Sequence, residues 1–347
     1  MHDEAGNPGK PRRTTVTRRA LVQRIGATGS GLWVLGSAGL LQPDTTLAAL
    51  VTQAYSAGLV SLEVDGGLTA LRAVEGGNVG ADVLADAGPP DQPIGKRLGA
   101  NRVDDIVLKM PFDVAPGLAS WISETLGKGP TTRSGAIVYT DVNLTERKRM
   151  SFSNAIISEV ALPVCDVLTA KTPPQITLRL TPEATQLQGG SGKPLQGSIG
   201  GLGKAAGGIF RLNIQGLESA TVFVSKIEGL GAKRVTAASM IGQIRGKQMQ
   251  VGALDVQPIR IQLPENRAAP FYSWFESFVI KGTGAAGVDE RPGLLEWLSP
   301  NLLTVVASVQ LQNLGIFGYA PDPYTGGADT VPKVQIDLYC ERLSLSL

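Results

Sequence analysis

Residues 189–193, Gly-Gly-Ser-Gly-Lys, have the composition of a phosphate-binding loop, in which backbone amides and a lysine cradle phosphates and a following hydroxyl holds a metal. Pro194 stands where that hydroxyl belongs, and neither a strand pattern before it nor a helix pattern after it supplies the required setting. Residues 201–206, Gly-Leu-Gly-Lys-Ala-Ala, show part of a dinucleotide fingerprint. The next element there reads as a strand over 209–214, where a cofactor needs a helix N-terminus. Both segments therefore read as linker. His2 is the only histidine, so the rest of the chain offers none to a catalytic triad, a dyad or a His-bearing zinc site. Asp104 and Asp105 precede a strand, where neighbouring side chains face opposite sides, and they read as a solvated turn rather than an acid/base pair. Cys165 and Cys340 have no partner at metal-ligand spacing. Each reads as a buried thiol, and a disulfide between them stays open. Asn143-Leu-Thr145 is a formal glycosylation sequon. No catalytic, cofactor-binding or metal residue is assigned, no cofactor is expected, and the chain is read as not an enzyme.

The pattern that organises the chain is internal repetition, which fixes architecture before any single element does. A short alternating strand (Ile106, Leu108, Met110) runs into Pro111 and then a helix opening Ser120-Trp121. The same order returns at Ile259, Ile261, Leu263, Pro264 and Ser273-Trp274, with both prolines and both tryptophans 153 residues apart. Upstream, Val60-Ser-Leu-Glu-Val-Asp-Gly66 answers to Phe210-Arg-Leu-Asn-Ile-Gln-Gly216, Val74-Glu-Gly-Gly77 to Ile227-Glu-Gly-Leu230, and Gly95-Lys96 to Gly246-Lys247. Downstream, Asn154 answers to Asn313, the closing strands at 175–180 and 333–338 correspond, and Glu183 answers to Glu341. Two collinear copies are expected: residues 58–185 and 209–347, joined by a Gly-rich flexible linker at 186–208 and preceded by a basic arm or leader at 1–57.

The 347 residues suit roughly two domains of about 150 each. With 43% hydrophobic and 18% charged residues the chain is an ordinary folded protein. A net charge of +2 gives no electrostatic case for nucleic acid. Short apolar runs punctuated by 43 glycines and 22 prolines predict turn-rich, mainly β (α+β) structure. In the first copy, Asp65-Gly-Gly67 and Glu75-Gly-Gly77 read as turns between short antiparallel strands, and residues 78–93 as a polar loop. Residues 115–126 read as the helix, ended by Gly127, and 136–144 and 149–157 as strands across a charged turn. That cluster, Glu146-Arg-Lys-Arg149, is read as a hairpin tip, with contact to a neighbouring acidic loop as the alternative. Trp121 and Trp274 are expected to anchor the core beneath their helices rather than stack on a ligand.

In the leader, Thr17-Arg-Arg-Ala-Leu-Val-Gln23 resembles a twin-arginine export signal ahead of an uncharged stretch at 25–41. That stretch has seventeen residues with five glycines, too few and too weakly apolar for a membrane span, which takes about 20. Export to the periplasm or cell surface is favoured over a cytoplasmic or virion particle.

Taken in order, Glu63 to Gly66, Val74 to Gly77, Lys96-Arg97, Ser120-Trp121, Phe152 to Ala155 and Thr177 to Glu183 resemble the inner tail tube proteins of contractile bacteriophages and related injection systems. In the second copy the resemblance rests on Gly216, Ile227 to Gly229, Ser273-Trp274, Asn313 and the last strand. It implies a tail-tube-like β-barrel or sandwich of about six strands with one flanking helix per copy, assembling into six-fold rings around a channel. Two copies per chain imply that three chains complete a pseudo-six-fold ring. The expected partners are other copies of the chain, as a trimer or stacked trimers, and other tail, sheath or baseplate-like proteins. The alternatives are a baseplate hub, cap or tube-terminator ring, and an exported ligand-binding β module, which an aromatic content of 5% disfavours.

Overall fold

The computed structural model describes residues 57–86, 94–127, 129–169, 173–197, 199–200, 209–239, 248–286, 288–323 and 331–347. His2, the twin-arginine-like residues, the uncharged stretch at 25–41 and the partial fingerprint at 201–206 lie outside the described residues.

The fold is mainly β, with antiparallel sheets and few helices. The first half contains β1 (Ala57–Val64), β2 (Gly67–Leu71), β3 (Ala73–Gly76), β4 (Val79–Asp86), β5 (Gly95–Val103) and β6 (Ile106–Met110). Helix α1 (Pro116–Gly127) follows, then β7 (Arg133–Asp141), β8 (Glu146–Ala161), β9 (Cys165–Asp166), β10 (Ile176–Thr181), β11 (Ala184–Gly189) and β12 (Ile199–Gly200). The second half contains β13 (Phe210–Ile214), α2 (Glu218–Thr221), β14 (Lys226–Glu228), β15 (Gly231–Ser239), β16 (Gln248–Val256) and β17 (Ile259–Pro264). After α3 (Ala269–Phe275) come β18 (Arg291–Leu298), β19 (Val305–Pro321) and β20 (Lys333–Ser346).

The hydrogen-bonded order β1-β7-β8-β10-β6-β3 in the first half is matched by β13-β18-β19-β20-β17-β14 in the second. Registers agree as well. Tyr139 sits opposite Lys148 as Trp297 sits opposite Ala307, and Leu180 opposite Ile157 as Leu338 opposite Ile316. The long strands β8 and β19 each break register at an asparagine in the left-handed region, Asn154 (φ 47) and Asn313 (φ 56). Asparagine tolerates that conformation far better than a β-branched residue, and the bulge lets one strand pass from one pairing partner to another. Before the bulge β8 pairs with β7 and β11, and beyond it chiefly with β10 and β15.

Helices α1 and α3 pack on the core by the same device. In α1, Leu118, Trp121, Ile122, Thr125 and Leu126 form a buried stripe at i, i+3, i+4, i+7 and i+8. Pro116 opens the helix, where a missing N–H costs nothing. In α3 and the π turn after it, Phe271, Trp274 and Phe278 are buried. Trp121 Nε1 donates to Thr131 O at 2.9 Å and Trp274 Nε1 to Asp289 O at 3.1 Å. Both indoles thus bury a large ring without stranding their polar atom.

Two sequence expectations differ from the fold. Residues 78–93 read as a polar loop, yet 79–86 and 95–103 form the β4–β5 hairpin. Both strands lie mostly in the open, so no buried face supplied a core signal. The start of the Gly-rich stretch is also not a free connection: β11 pairs with β8, and Gly190 N and Gly192 N donate to Arg147 O and Glu146 O at 2.9 and 3.1 Å.

Candidate functional site at the joint between the halves

The described segments that suggested chemistry are used up structurally. The amides of residues 190 and 192, which a phosphate loop would offer to its ligand, bond to backbone carbonyls, and Ser191 Oγ donates to Glu146 Oε2 at 2.9 Å. Asp104 faces Arg102 at 3.6 Å and Asp105 faces Arg179 at 3.8 Å, each at the surface. The charged turn is tied down within its own half: Arg147 to Asp141 at 2.8 Å, and Arg149 to Glu146 at 2.8 Å and to Glu63 at 2.9 Å. Burial pushes the Glu146 carboxyl up, but hydrogen bonds from Arg149 and Ser191 outweigh it and hold the group below its ordinary range. Among the described residues, no three His, Cys, Asp or Glu side chains are grouped to hold a metal. No described helix is long and apolar enough to cross a membrane. A surface pocket lined by Lys226, Glu228, Arg260, Gln262 and Gln335 is polar, and its charges are matched locally by the Lys226–Glu228 and Arg260–Asp337 pairs.

What the fold builds instead is a joint. The end of β8 has one edge on β10 and the other on β15 of the second half, with Glu159, Val160 and Ala161 opposite Lys233, Ala232 and Gly231. Leu162 N donates to Leu230 O at 2.8 Å, extending the ladder. Beside it β9 pairs with β14, Cys165 opposite Ile227 and Asp166 opposite Lys226. The second half is therefore added to the first by its strand edges, the route by which sheets join other sheets.

Side chains seal the seam. The ring of Phe112, in the loop after β6, lies 4.8 Å from the ring of Trp297 on β18. Cys165 is buried there as a free thiol, and burial pushes it up to about 12. Cys340 is likewise free and buried. Arg234 on β15 is almost fully buried, donating to Thr125 O in the last turn of α1 at 2.9 Å and to Gly252 O at 3.2 Å. A cation at a helix C-terminus meets the negative end of the dipole, but burial lowers the Arg234 pKa because its charge has left water. One hydrophobic core runs through both halves.

Sequence reading missed this joint. A partial signal was present only for β4, the counterpart of β15 outside the joint: Val79, Ala81, Val83 and Ala85 alternate with Gly80, Asp82 and Asp86, Leu84 breaking the pattern. The pairing of β15 across the halves leaves no local trace.

No protein-family model and no curated protein matches the chain. Several solved structures are similar over part of it. One is the sheath-tube complex of an extracellular contractile injection system in the extended state, at 11% identity and a TM-score of 0.33, covering 40% of this chain and 88% of that one. Another is the tube-terminating cap of the anti-feeding prophage, at 16% identity and a TM-score of 0.33, covering 40% and 87%. A third is Hcp1 from Flavobacterium johnsoniae, at 8% identity and a TM-score of 0.24, covering 40% and 94%.

Proposed function

We propose that the chain is a structural, non-enzymatic subunit that assembles into rings, three chains of two tandemly duplicated domains (58–185 and 209–347) completing a pseudo-six-fold ring that stacks into a tube. The observation that carries this reading is the joint: two halves with one strand order are connected by the edge of β15 docking on the edge of β8. A contact of that head-to-tail kind does not exhaust itself in a pair, because each new half presents the edge the next one needs; it closes as a ring or runs on as a filament.

Negative-stain imaging of the purified chain tests this. Rings with six similar lobes are expected, and particles of single-chain size at high concentration contradict it. A second reading, a cap or terminator ring, is favoured by the inequality of the halves: the second has an extra turn at Thr283–Ala286, and an apolar Val305 where the first has the bonded Glu146. Isolated rings that never stack favour the cap, and filaments favour the tube.

A further inference from the structure

Residues 78–80 occupy the same place in the β4–β5 hairpin that residues 231–233 occupy in β15–β16. Val79 pairs with Val103, Gly80 with Arg102 and Ala81 with Asn101. Ala232 pairs with Val256, Lys233 with Asp255 and Arg234 with Leu254, and a register shift follows at the same step in both. Asp104 N donates to Asn78 O as Gln257 N donates to Gly231 O, both at 2.9 Å. On the other side of the joint, Gly318, Tyr319 and Ala320 of β19 pair with β20 as Glu159, Val160 and Ala161 of β8 pair with β10. The second edge of β8 is taken by β15, whereas residues 318–320 have no strand on theirs among the described residues. Among the described residues β4 pairs only with β5.

We infer that successive chains join by repeating the joint: the open edge of β4 in one chain pairs antiparallel with the open edge of β19 in the next, Val79 opposite Tyr319, Asn78 opposite Ala320 and Gly80 opposite Gly318. This rests on the ring reading above and specifies its interface.

Three observations point to a second copy as the occupant. The first is backbone direction. Because Asn78 O already accepts from Asp104, alternation turns the N–H and C=O of Val79 outward. Asp322 N donates to Lys333 O across β20, so the same alternation turns Tyr319 outward. The two residues are thus set to exchange reciprocal hydrogen bonds.

The second is exposure. Val79 is 58% exposed where Ala232 in the joint is 0%. Val279, after α3, is 43% exposed where Leu126 of α1 is 6%. Positions that the joint buries are left as open apolar surface at both free edges, with Val83 and Leu98 beside one and Tyr272 and Phe317 beside the other.

The third is how departures from symmetry compensate. Gly231 sits where an added Cβ would come 2.7 Å from the backbone Val160 O, closer than a real Cβ tolerates, so Asn78 in its place requires the interchain pair to stand wider at that end than the joint does. The next residue pair there is Gly77 opposite Pro321, which has no N–H to give. Gly77 O already accepts from Thr185 Oγ1 of its own chain at 2.8 Å. The widened end therefore strands no carbonyl.

The test is a cysteine pair, Asn78→Cys with Ala320→Cys, in the full chain, which lies within disulfide reach only if this register forms between chains. After oxidation, a non-reducing denaturing gel is expected to show chains linked in steps up to a closed three-chain species, absent from each single variant. Val79→Pro removes an N–H that faces only the open edge, and is expected to convert assemblies into single chains with an unchanged far-ultraviolet circular dichroism spectrum. Wild-type rings whose cysteine pair does not link chains overturn this interface and leave the ring reading standing, and so does Val79→Pro that folds and assembles normally. Single-chain behaviour of the wild type overturns the ring reading, and this interface with it. Should Val79→Pro fail to fold, the crosslink decides.

Discussion

Asn154 donates its Nδ2–H to the Glu183 carboxylate at 2.8 Å, bridging the bulge of β8 to the point where β10 gives way to β11. Asn313 does the same to Glu341 at 2.7 Å. Each asparagine holds a left-handed backbone that alanine adopts only at a cost of about 1–2 kcal/mol. Asn154→Ala and Asn313→Ala are each expected to lower stability by about that amount, and Asn154→Gly by less, measured by denaturant unfolding. Equal losses for Ala and Gly contradict the backbone account. The paired glycines Gly76 and Gly229 should be stricter, because an added Cβ would come 1.9 Å from Asp105 O and 2.1 Å from Pro258 O. Substitution by alanine at either is expected to cost more than about 3 kcal/mol.

Arg234 should matter through the joint rather than through charge. Arg234→Ala leaves a void and takes the donor from the buried Thr125 carbonyl and from Gly252 O, and is expected to cost about 2–4 kcal/mol. Arg234→Met fills the volume without burying a charge and should cost clearly less. A methionine variant as unstable as the alanine one contradicts this.

Part of the acid sensitivity should reside in the first half. Asp141 accepts from the amides of Thr145 and Asn143 and from Arg147, which hold it below the ordinary carboxylate range, and Glu146 is lowered as well. A lowered folded pKa contributes stability that is complete above the unfolded value and is lost as pH falls through the folded one. Melting temperature should therefore drop as pH falls below about 4, and Glu146→Gln should flatten that drop while lowering stability at neutral pH. An unchanged pH dependence in this variant contradicts the assignment.

Burial raises the pKa of both thiols, Cys165 to about 12. A thiol reagent at pH 8 should label neither cysteine in the native protein and both after denaturation. Rapid labelling of Cys165 in the folded chain means that the joint opens.

Much of this fold was legible in the sequence because it depends on local constraints that leave residue-specific marks. A left-handed kink calls for Asn154 and Asn313, a tight backbone approach for Gly76 and Gly229, and a helix packed on the core for Trp121 and Trp274. The β4–β5 hairpin was not legible in the same way, since Val79 to Asp86 bury no face and lead into residues rich in glycine and proline. The joint was less legible still. What distinguishes Ala232 from Val79 is the presence of another half beside it, and a pairing between strands from different halves is a property of the assembled backbone. The Gly-rich residues 189–193 misled in the opposite direction, since the amides of Gly190 and Gly192 face the carbonyls of Arg147 and Glu146 rather than open solvent.

The most direct test of the central claim is the mass of the wild-type assembly in solution, by light scattering or native mass spectrometry over a range of concentrations. A particle of three 36.3 kDa chains, or a multiple of three, is expected. A mass of one chain at every concentration, or a particle whose chain number is not divisible by three, contradicts it.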